Sequence, residues 1–341
     1  MRGRNKVKTM FLAWGRIGRR TIELSRELNS YLLFIPDRPP YLKAYFKTKK
    51  FLLEFRPKTI ILQLPQGPLL FSSFIYKKKH HYSIIADVHT GFSIYDSWKS
   101  LILNKPFHNF LKYCELVIAH NEPFREYLIK YKGLDPGRVI TVYDPFPQIP
   151  ENLKKPTNID VEPLKYIVFP AAWDPDENLE FIVREFLSST TSRTYKLLLT
   201  GNYNRRKKLA EKIRRGSSDK IVLTGYIGSE EYYWILKHSK LVITGTTREY
   251  TMLSSIWESI ALEKPFITSY TRTLGKILGG STLYYTYKEG SLRKLLDTCL
   301  NNDECIFYLQ RKIVALKDKM KTLSRNSIEK LKRIINRLNE L

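Results

Sequence analysis

The chain has 341 residues, a length that predicts about two compact domains. Its composition, with 43% hydrophobic and 27% charged residues, excludes a disordered chain, a collagen-like repeat and a disulfide-stapled miniprotein. The 58 Lys and Arg residues exceed the 33 Asp and Glu residues by 25, which indicates a polyanionic partner, an anionic membrane surface or anionic ligands. Three cysteines without metal-ligand spacing suit a reducing cytoplasm, and no apolar run approaches the ~18 residues of a membrane-spanning helix.

In the N-terminal half, short apolar or β-branched runs alternate with amphipathic helical patterns such as Arg19–Leu28 and Pro123–Tyr131. This alternation predicts a parallel sheet covered by helices on both faces. The predicted strands are Val7–Ala13, Tyr31–Ile35, Thr59–Leu64, Tyr82–Asp87, Leu116–Ala119 and Arg138–Val142.

The segment Tyr143–Pro163 interrupts the alternation with five prolines and little periodicity, so it predicts a linker. After it the alternation resumes, with helical patterns at Asn178–Leu187 and Leu253–Leu262. The strands predicted there are Tyr166–Pro170, Lys196–Thr200, Lys220–Leu223, Leu241–Thr244, Pro265–Ser269 and Leu283–Tyr285. We therefore expect an α/β chain of two doubly wound, Rossmann-like domains facing a cleft, residues 1–160 and 161–305, followed by a basic helix, residues 306–341.

Chemically distinctive short runs come directly after predicted strands in both halves. In open parallel sheets, ligands bind beyond the carboxyl ends of the strands. The accumulation of such runs predicts an active cleft between the domains. The runs are Gly15–Gly18, Asp87–Gly91, His120–Glu122 and Asp144, then Trp173–Asp174, Gly201–Asn202, Gly225–Tyr226 and Thr246–Glu249.

Each of these residues also has a structural alternative. Gly15–Gly18 lacks the full G-x-G-x-x-G spacing, so it fits a tight strand–helix turn as well as an anion contact. His89 fits a structural loop histidine as well as a catalytic one, and Asp87 fits a cap or a partner that orients His89. Glu258 either faces solvent or is a buried carboxylate that needs donors such as ribose hydroxyls.

The strongest run is Leu241–Ser269, LVITGTTREYTMLSSIWESIALEKPFITS, in which an acidic residue and a short loop precede a helical pattern carrying Glu258 and a Lys-Pro pair. It resembles the donor-site signature of GT-B fold glycosyltransferases, in the retaining, family-4-like group. LLLTGNYNRR and IVLTGYIGSEEYYWIL resemble that group's phosphate loop and base-binding turn, and IIADVHTGFSIYDSW and LVIAHNEPFREYL resemble its acceptor-side loops. The similarity extends over most of the chain, from about Lys6 to Leu300.

The resemblance implies transfer of a sugar, with retention and without metal or further cofactor, from a nucleotide-diphosphate donor bound by the second domain. The acceptor, on the side of the first domain, would be a glycan, a lipid-linked molecule or a protein. His89 and Glu249 would be the catalytic residues, beside the sugar's reactive carbon and on the donor sugar respectively. The expected donor-binding residues are Gly15, Arg16, Gly201, Asn202, Arg205, Arg206, Tyr226, Ile227, Thr247, Arg248, Tyr250, Thr251, Met252 and Glu258. The expected acceptor-side residues are Asp87, His120 and Asn121.

Among these, Glu258 would bind the donor ribose, Tyr226 and Ile227 would border the base, and Tyr250–Met252 would present backbone N–H groups to the diphosphate at a helix N-terminus. The last helix commonly packs back toward the first domain in this fold. Two features depart from the family's pattern: Glu249 and Glu258 are separated by eight residues rather than seven, and AAWDPDENLE replaces the usual Arg and Lys pair. The diphosphate would then need cations from Arg248, Arg205 or Arg206.

The net positive charge does not identify the partner that the protein binds. Tyr41–Lys58 combines six cations with five aromatic residues and fits either the surface of an anionic membrane or a core helix with a solvated basic face. A glycosyltransferase acting on nucleic acid, and a non-catalytic nucleic-acid- or glycan-binding protein on a degenerate GT-B scaffold, are the alternative functions. We expect a cytoplasmic protein that can associate peripherally with a membrane.

Overall fold

The computed structural model describes residues 7–95, 97–216 and 218–340, which form two compact units. Unit 1 comprises the N-terminal part of the chain up to Pro145 together with the residues from Thr322 onward. Unit 2 comprises Phe146–Lys321. The chain therefore passes from one unit to the other twice, after Pro145 and within the last helix.

The described residues of unit 1 form a six-stranded parallel sheet in the order β2-β1-β3-β4-β5-β6. Its central strands β1 and β3 are buried at every position, because helices cover both faces of the sheet. The strands are β1 (Thr9–Trp14), β2 (Tyr31–Ile35), β3 (Thr59–Leu64), β4 (Ser83–Val88), β5 (Leu116–Ala119) and β6 (Val139–Thr141). The helices are α1 (Arg19–Glu27), α2 (Leu42–Phe55), α3 (Gly67–His80), α4 (Thr90–Ser93), α5 (Trp98–Asn104) and α6 (Glu122–Lys132), with 3-10 helices at Lys105–Tyr113 and Pro136–Arg138.

The described residues of unit 2 form a second six-stranded parallel sheet, in the order β12-β11-β10-β7-β8-β9. Its strands are β7 (Tyr166–Phe169), β8 (Lys196–Thr200), β9 (Ile221–Gly225), β10 (Val242–Thr244), β11 (Phe266–Ser269) and β12 (Leu283–Tyr285). Its helices are α7 (Leu179–Leu187), α8 (Lys207–Gly216), α9 (Ser229–His238), α10 (Ser254–Ala261), α11 (Arg272–Leu278) and α12 (Ser291–Leu300), with 3-10 helices at Pro175–Glu177, Thr190–Arg193, Tyr203–Arg206, Ser218–Lys220 and Gly279–Ser281. The predicted class of two doubly wound α/β domains is confirmed.

The last helix, α13 (Asp303–Glu340), begins in unit 2 and ends in unit 1. Its final turns place Leu331 and Ile335 in the same apolar cluster as Phe11 and Ile61 of the unit 1 sheet. Burying such side chains stabilises a domain by roughly 2 kcal/mol each. The expected return of this basic helix to the N-terminal half is therefore confirmed, and its apolar face is part of the unit 1 core.

Helix α2 lies inside the basic segment Tyr41–Lys58. Its inner face is buried through Ala44, Thr48 and Leu52, and its outer face exposes Leu42, Phe46 and Leu53. Leu52 is part of the buried core, which agrees with the alternative of a core helix with a solvated basic face. No helix among the described residues combines the length and the hydropathy needed to cross a bilayer.

The cysteines lie in two places. Cys299, at the end of α12, and Cys305, at the start of α13, are joined as a disulfide, with Cα atoms 5.1 Å apart. Cys114 is unpaired and buried in unit 1.

Candidate functional site

The order of the unit 2 sheet reverses between β7 and β10, and a reversal of this kind opens a crevice at the carboxyl ends of two neighbouring strands. The loops that leave these strands, residues 170–178 and 245–253, therefore meet at the position where doubly wound folds bind ligands. Both loops contain residues that the sequence singled out.

Asp176 joins these two loops. Its Oδ2 atom accepts a hydrogen bond of 2.6 Å from the Thr246 hydroxyl, and its backbone carbonyl accepts one of 2.9 Å from the Thr247 amide. The Arg248 guanidinium lies 3.3 Å from the other carboxylate oxygen. Thr247 and Arg248, both predicted donor-binding residues, are thus held at the crevice by one residue, Thr247 through the Asp176 carbonyl and Arg248 through its carboxylate.

Glu177 directly follows Asp176 in the loop after β7, and its side chain is 5% exposed. Its two carboxylate oxygens accept hydrogen bonds from the backbone amides of Ala172, at 2.7 Å, and Asp174, at 3.2 Å. Burial raises the pKa of Glu177 to about 7, with the nearby Asp176 and Asp174 charges adding to the rise. The loop after β7 therefore carries a carboxyl group that changes charge near neutral pH.

Gly201 directly follows β8 and has φ +84°, a backbone conformation that favours glycine. A Cβ atom there would lie 2.0 Å from the Ala171 carbonyl oxygen, so only glycine allows this loop to approach the loop after β7. Arg205 then donates to the Ala172 carbonyl and, at 2.7 Å, to Asp174. Asn202 accepts a hydrogen bond from the backbone amide two residues later, and Arg206 is half-buried.

In the run Glu249–Met252, Glu249 and Tyr250 form hydrogen bonds with other residues of unit 2. The Glu249 carboxylate accepts hydrogen bonds from the backbone amides of Arg272 and Thr273, at 2.9 and 3.2 Å, and so caps the N-terminus of α11. Tyr250, in the left-handed region with φ +61°, donates its amide to the Thr273 hydroxyl. Thr251 and Met252 are half-buried and precede α10, which begins at Ser254.

Glu258 lies on α10 and is 7% exposed, so the alternative in which it faces solvent is excluded. The Tyr232 hydroxyl, on α9, donates a hydrogen bond of 2.6 Å to Oε2 of Glu258. Tyr226 and Ile227 occupy the turn between β9 and α9, where the Tyr226 side chain is 85% exposed. A carboxylate accepts several hydrogen bonds, so a sugar hydroxyl can share Glu258 with Tyr232.

In unit 1, a buried cation joins the carboxyl ends of two strands. Arg20, on α1, donates from Nη2 and Nε to Asp87 at 2.9 and 3.3 Å, and from Nη1 to Asp144 at 2.8 Å. Asp87 is fully buried near the carboxyl end of β4, and Asp144 follows β6. Burial alone would raise the pKa of Asp87, but the charges of Arg20 and His89 outweigh it and hold that pKa far below its ordinary value.

His89 is the candidate catalytic residue of this unit. Its Nε2 atom lies 3.5 Å from Oδ2 of Asp87 and has no hydrogen-bond partner among the described residues. The buried side-chain oxygens of Gln66 and Ser93 likewise have none within that part of the chain. Since buried polar atoms in proteins are nearly always hydrogen-bonded, the edge of the sheet around His89 is suited to water or a polar ligand.

The remaining sequence-predicted residues of unit 1 lie at the same edge. Gly15 has φ +73° in the turn after β1, and Arg16 is exposed, its carbonyl accepting from the Gln63 amide at 2.8 Å. His120 Nε2 lies 3.4 Å from the Thr90 hydroxyl. Asn121 is fully buried and accepts a hydrogen bond of 2.9 Å from the Phe124 amide as the N-cap of α6.

Sequence reasoning missed Arg20, Asp176, Glu177 and Tyr232. Arg20 resembles any solvated cation on an amphipathic helix, and its two partners are 67 and 124 residues away. Asp176 and Glu177 were visible only as part of the acidic replacement for the usual cation pair. In residues 7–95, 97–216 and 218–340, no three His, Cys, Asp or Glu side chains are grouped as ligands of one metal ion.

Residues 164–300, most of unit 2, match the family described as glycosyl transferases group 1. No curated protein sequence matches the chain. Among solved structures, the chain is similar to Anabaena HepE in complex with UDP and glucose, with a TM-score of 0.75, 13% identity, and coverage of 95% of this chain and 99% of that one. It is also similar to sucrose-phosphate synthase from Thermosynechococcus elongatus, with a TM-score of 0.73, 12% identity, and coverage of 97% and 99%.

A glycosyltransferase from Rickettsia africae has a TM-score of 0.70 at 12% identity, and covers 98% of this chain and 99% of its own. Similarity at this identity shows a shared fold, and the family match adds the activity. The chain is a glycosyltransferase with the GT-B fold, and its residues 164–300 carry the pattern of the glycosyl transferases group 1 family.

Proposed function

We propose that the protein transfers a sugar, with retention of configuration and without a metal ion, from a UDP-sugar to a lipid-linked or other glycan acceptor. The observation that carries the proposal is the buried Glu258 carboxylate, which lies on α10 directly after the crevice loop. A uridine donor is favoured because HepE, which shares the fold, is solved with UDP and with UDP-glucose.

The donor would lie across the crevice between β7 and β10. Glu258 would accept hydrogen bonds from the ribose, and the exposed ring of Tyr226 would border the base. The diphosphate would lie against Arg205 and Arg248, which are now paired with Asp174 and Asp176. A guanidinium group can donate two hydrogen bonds to a diphosphate, which carries more negative charge than one carboxylate. On donor binding, Arg205 and Arg248 would therefore exchange Asp174 and Asp176 for the diphosphate.

His89 would act on the acceptor side. Its ring is about one third exposed, and its Nε2 atom lies beside the buried Asp87 carboxylate. A carboxylate in that position orients the imidazole ring. The ring would then be a positioned hydrogen-bond partner for a hydroxyl group of an acceptor bound at this edge of the unit 1 sheet. Glu249, which caps α11, would contact the donor sugar only after releasing one of those bonds.

Peripheral association with an anionic membrane is part of the proposal, because the net charge is +25. The basic segment Tyr41–Lys58 is one candidate contact, since α2 exposes Leu42, Phe46 and Leu53.

The test is donor turnover. UDP-, GDP- and ADP-sugars are incubated with the protein, release of the nucleoside diphosphate is followed, and NMR gives the anomeric configuration of the product. We expect release from UDP-sugars and the α configuration to be kept. His89→Ala should lower the rate by about a hundredfold or more while UDP binding persists. Turnover of no donor, with tight salt-dependent binding of DNA, would instead indicate a non-catalytic binding protein on this fold.

A further inference from the structure

Unit 1 exposes large apolar side chains on α5 and the 3-10 helix that follows it. Trp98 is 67% exposed, Ile102 is 63% and Tyr113 is 66%. The neighbouring helix α3 adds Phe71 and Ile75, at 40% and 37%. Single exposed apolar residues are common, but a group of them on adjacent elements marks an interaction surface.

Helices α3 and α5 and the 3-10 helix pack against one another. The Phe71 ring lies 5.6 and 5.4 Å from the rings of Phe107 and Phe110, and the Phe74 ring lies 6.4 Å from that of Tyr113. Gly67 allows the close packing, because a Cβ atom there would lie 2.4 Å from the Phe107 ring. We call Phe71, Ile75, Trp98, Ile102 and Tyr113 the aromatic face.

The two segments that carry the aromatic face have charges of one sign. Neither Gly67–His80 nor Trp98–Tyr113 contains an Asp or Glu. Lys77 is paired with Glu115. The other lysines are exposed and form no ion pair within the described residues: Lys78, Lys79, Lys99, Lys105 and Lys112.

We propose that the aromatic face docks unit 1 on the surface of an anionic lipid bilayer. Trp and Tyr prefer the level of the lipid headgroups, aliphatic side chains gain from the acyl region below, and lysines bind anionic headgroups. Nucleic acid fits less well, because these two segments contain no Arg and because Ile75 and Ile102 gain nothing from a phosphate backbone. The inference deepens the membrane association proposed above and moves it from α2 to α3, α5 and the 3-10 helix.

The elements that carry the aromatic face are hydrogen-bonded to α4, which directly follows His89. Asn104 donates to the Gly91 carbonyl and accepts from the Gly67 amide, at 3.4 and 3.0 Å, and His108 Nε2 lies 2.9 Å from the Phe92 carbonyl. A membrane bound at the aromatic face would therefore contact elements that are hydrogen-bonded to α4, next to His89 and the candidate acceptor site. This consequence rests on the proposed function and favours an acceptor with a lipid anchor.

The test is co-sedimentation with vesicles of phosphatidylglycerol and phosphatidylcholine, compared with phosphatidylcholine alone. The triple variant Trp98→Ser, Ile102→Ser and Tyr113→Ser should weaken binding to the anionic vesicles on the order of tenfold or more. The matched control is Leu42→Ser, Phe46→Ser and Leu53→Ser, which removes three exposed apolar residues from the lysine-rich α2 of the same unit. It should change binding less than about threefold.

Intrinsic fluorescence gives a second measurement. Trp14, Trp173 and Trp257 are 1% exposed and Trp234 is half-buried, so Trp98 is the tryptophan whose surroundings a membrane would change. We expect a blue shift of emission on adding anionic vesicles. Trp98→Phe should abolish the shift while keeping co-sedimentation within about twofold, because Phe retains most of the apolar contact.

Three results would overturn the inference: no preference of the wild type for anionic vesicles, equal binding by the Trp98, Ile102 and Tyr113 variant, or loss of binding in the α2 control alone. Stabilisation by UDP is measured on every variant, since it reports folding of unit 2 and donor binding independently. A variant that loses vesicle binding but keeps the UDP response supports the docking surface. Vesicle binding in a protein that shows no UDP response would leave the docking surface standing and remove the proposed function.

Discussion

The two sheets hold charge at their carboxyl ends in opposite ways. In unit 1, the Arg20 guanidinium is 7% exposed and bound to the fully buried Asp87. In unit 2, Arg205 and Asp174 are 35% and 34% exposed, and Arg248 is 34% exposed beside Asp176. One edge therefore contains an ion pair that is buried on both sides, and the other contains ion pairs whose guanidinium groups solvent and ligands reach.

This difference implies that the ion pair of unit 1 is rigid, whereas the cations of unit 2 can exchange their partners for a ligand. Breaking a buried ion pair leaves a charge without water or partner, so the unit 1 network fixes the position of Asp87 and, through it, of His89. A solvent-exposed pair contributes little to stability, so Arg205 can leave Asp174 for a diphosphate at small cost. Arg248 is 34% exposed, and its partner Asp176, which is 9% exposed, keeps the Thr246 hydroxyl as a donor when Arg248 moves. We expect the acceptor-side residues to be pre-organised and the donor-side cations to rearrange on binding.

The largest expected effect comes from breaking the unit 1 pair. Arg20→Met leaves Asp87 buried and charged, and should lower the free energy of unfolding by about 3–5 kcal/mol in urea denaturation. The matched control is Arg138→Met in the same unit, which removes a pair with Asp135 at 3.8 Å whose side chains are 55% and 63% exposed. That change should cost less than about 1 kcal/mol. Equal effects of the two variants would contradict the contrast between sealed and exposed pairs.

The second prediction concerns the backbone that brings the unit 2 loops together. Gly201→Ala places a Cβ atom 2.0 Å from the Ala171 carbonyl and in a left-handed conformation, so it should lower the free energy of unfolding by about 2 kcal/mol or more and weaken UDP binding. Gly216→Ala, where nothing lies within 4 Å of the added atom, should change stability by less than about 1 kcal/mol. A neutral Gly201→Ala variant would show that the close approach of the two loops is unnecessary.

The third prediction tests exchange directly. The double variant Arg205→Ala and Arg248→Ala should weaken UDP binding about tenfold, or about 1.4 kcal/mol, measured by calorimetry. It should leave uridine binding unchanged, because the nucleoside lacks the diphosphate. Arg184→Ala, on the exposed surface of α7, is the control and should have no effect on either ligand. Unchanged UDP affinity in the double variant would mean that other cations neutralise the diphosphate.

The smallest expected effect is a pH dependence of donor binding. The pKa of Glu177 is raised from its ordinary 4.5 to about 7, so UDP affinity should rise roughly threefold as pH falls from 8 to 6 and the carboxylate loses its charge. The same raised pKa makes the stability contribution of Glu177 complete below about pH 4.5 and lost as pH rises through about 7. Glu177→Gln should remove most of the change in UDP affinity between pH 8 and pH 6. Because the nucleotide titrates equally in both experiments, a pH profile shared by wild type and variant would exclude Glu177 as the cause.

The sequence located most of the fold, because hydrophobic periodicity is a local signal. The predicted strands Tyr31–Ile35, Thr59–Leu64 and Lys196–Thr200 have the bounds that the structure shows. Strand boundaries differ from the predictions by one or two residues: the strand predicted at Val7–Ala13 is Thr9–Trp14. The position of candidate residues after strands was equally readable, since parallel strands end at one edge.

The partners of those residues were not readable. Glu249 is tied to the N-terminus of α11, 23 residues away, and Asn121 serves as an N-cap, although both were expected to contact substrates. Arg20 was invisible because burial of a cation depends on carboxylates brought by other strands. Which charged groups are sealed and which remain exchangeable is a property of the tertiary structure.

The most direct test of the account is stabilisation by nucleotides. Unfolding is measured with UDP, GDP and ADP for wild type, Glu258→Ala and the control Glu263→Ala, whose carboxylate pairs with Lys317 at 2.7 Å on the surface. At 100 times its dissociation constant, UDP should add about 2.7 kcal/mol to wild type and to the control, and about 1.4 kcal/mol or less to Glu258→Ala at the same concentration, because loss of the ribose contact weakens binding about tenfold or more. An undiminished UDP response in Glu258→Ala, or a wild type that responds to no nucleotide, would contradict the placement of the donor in unit 2.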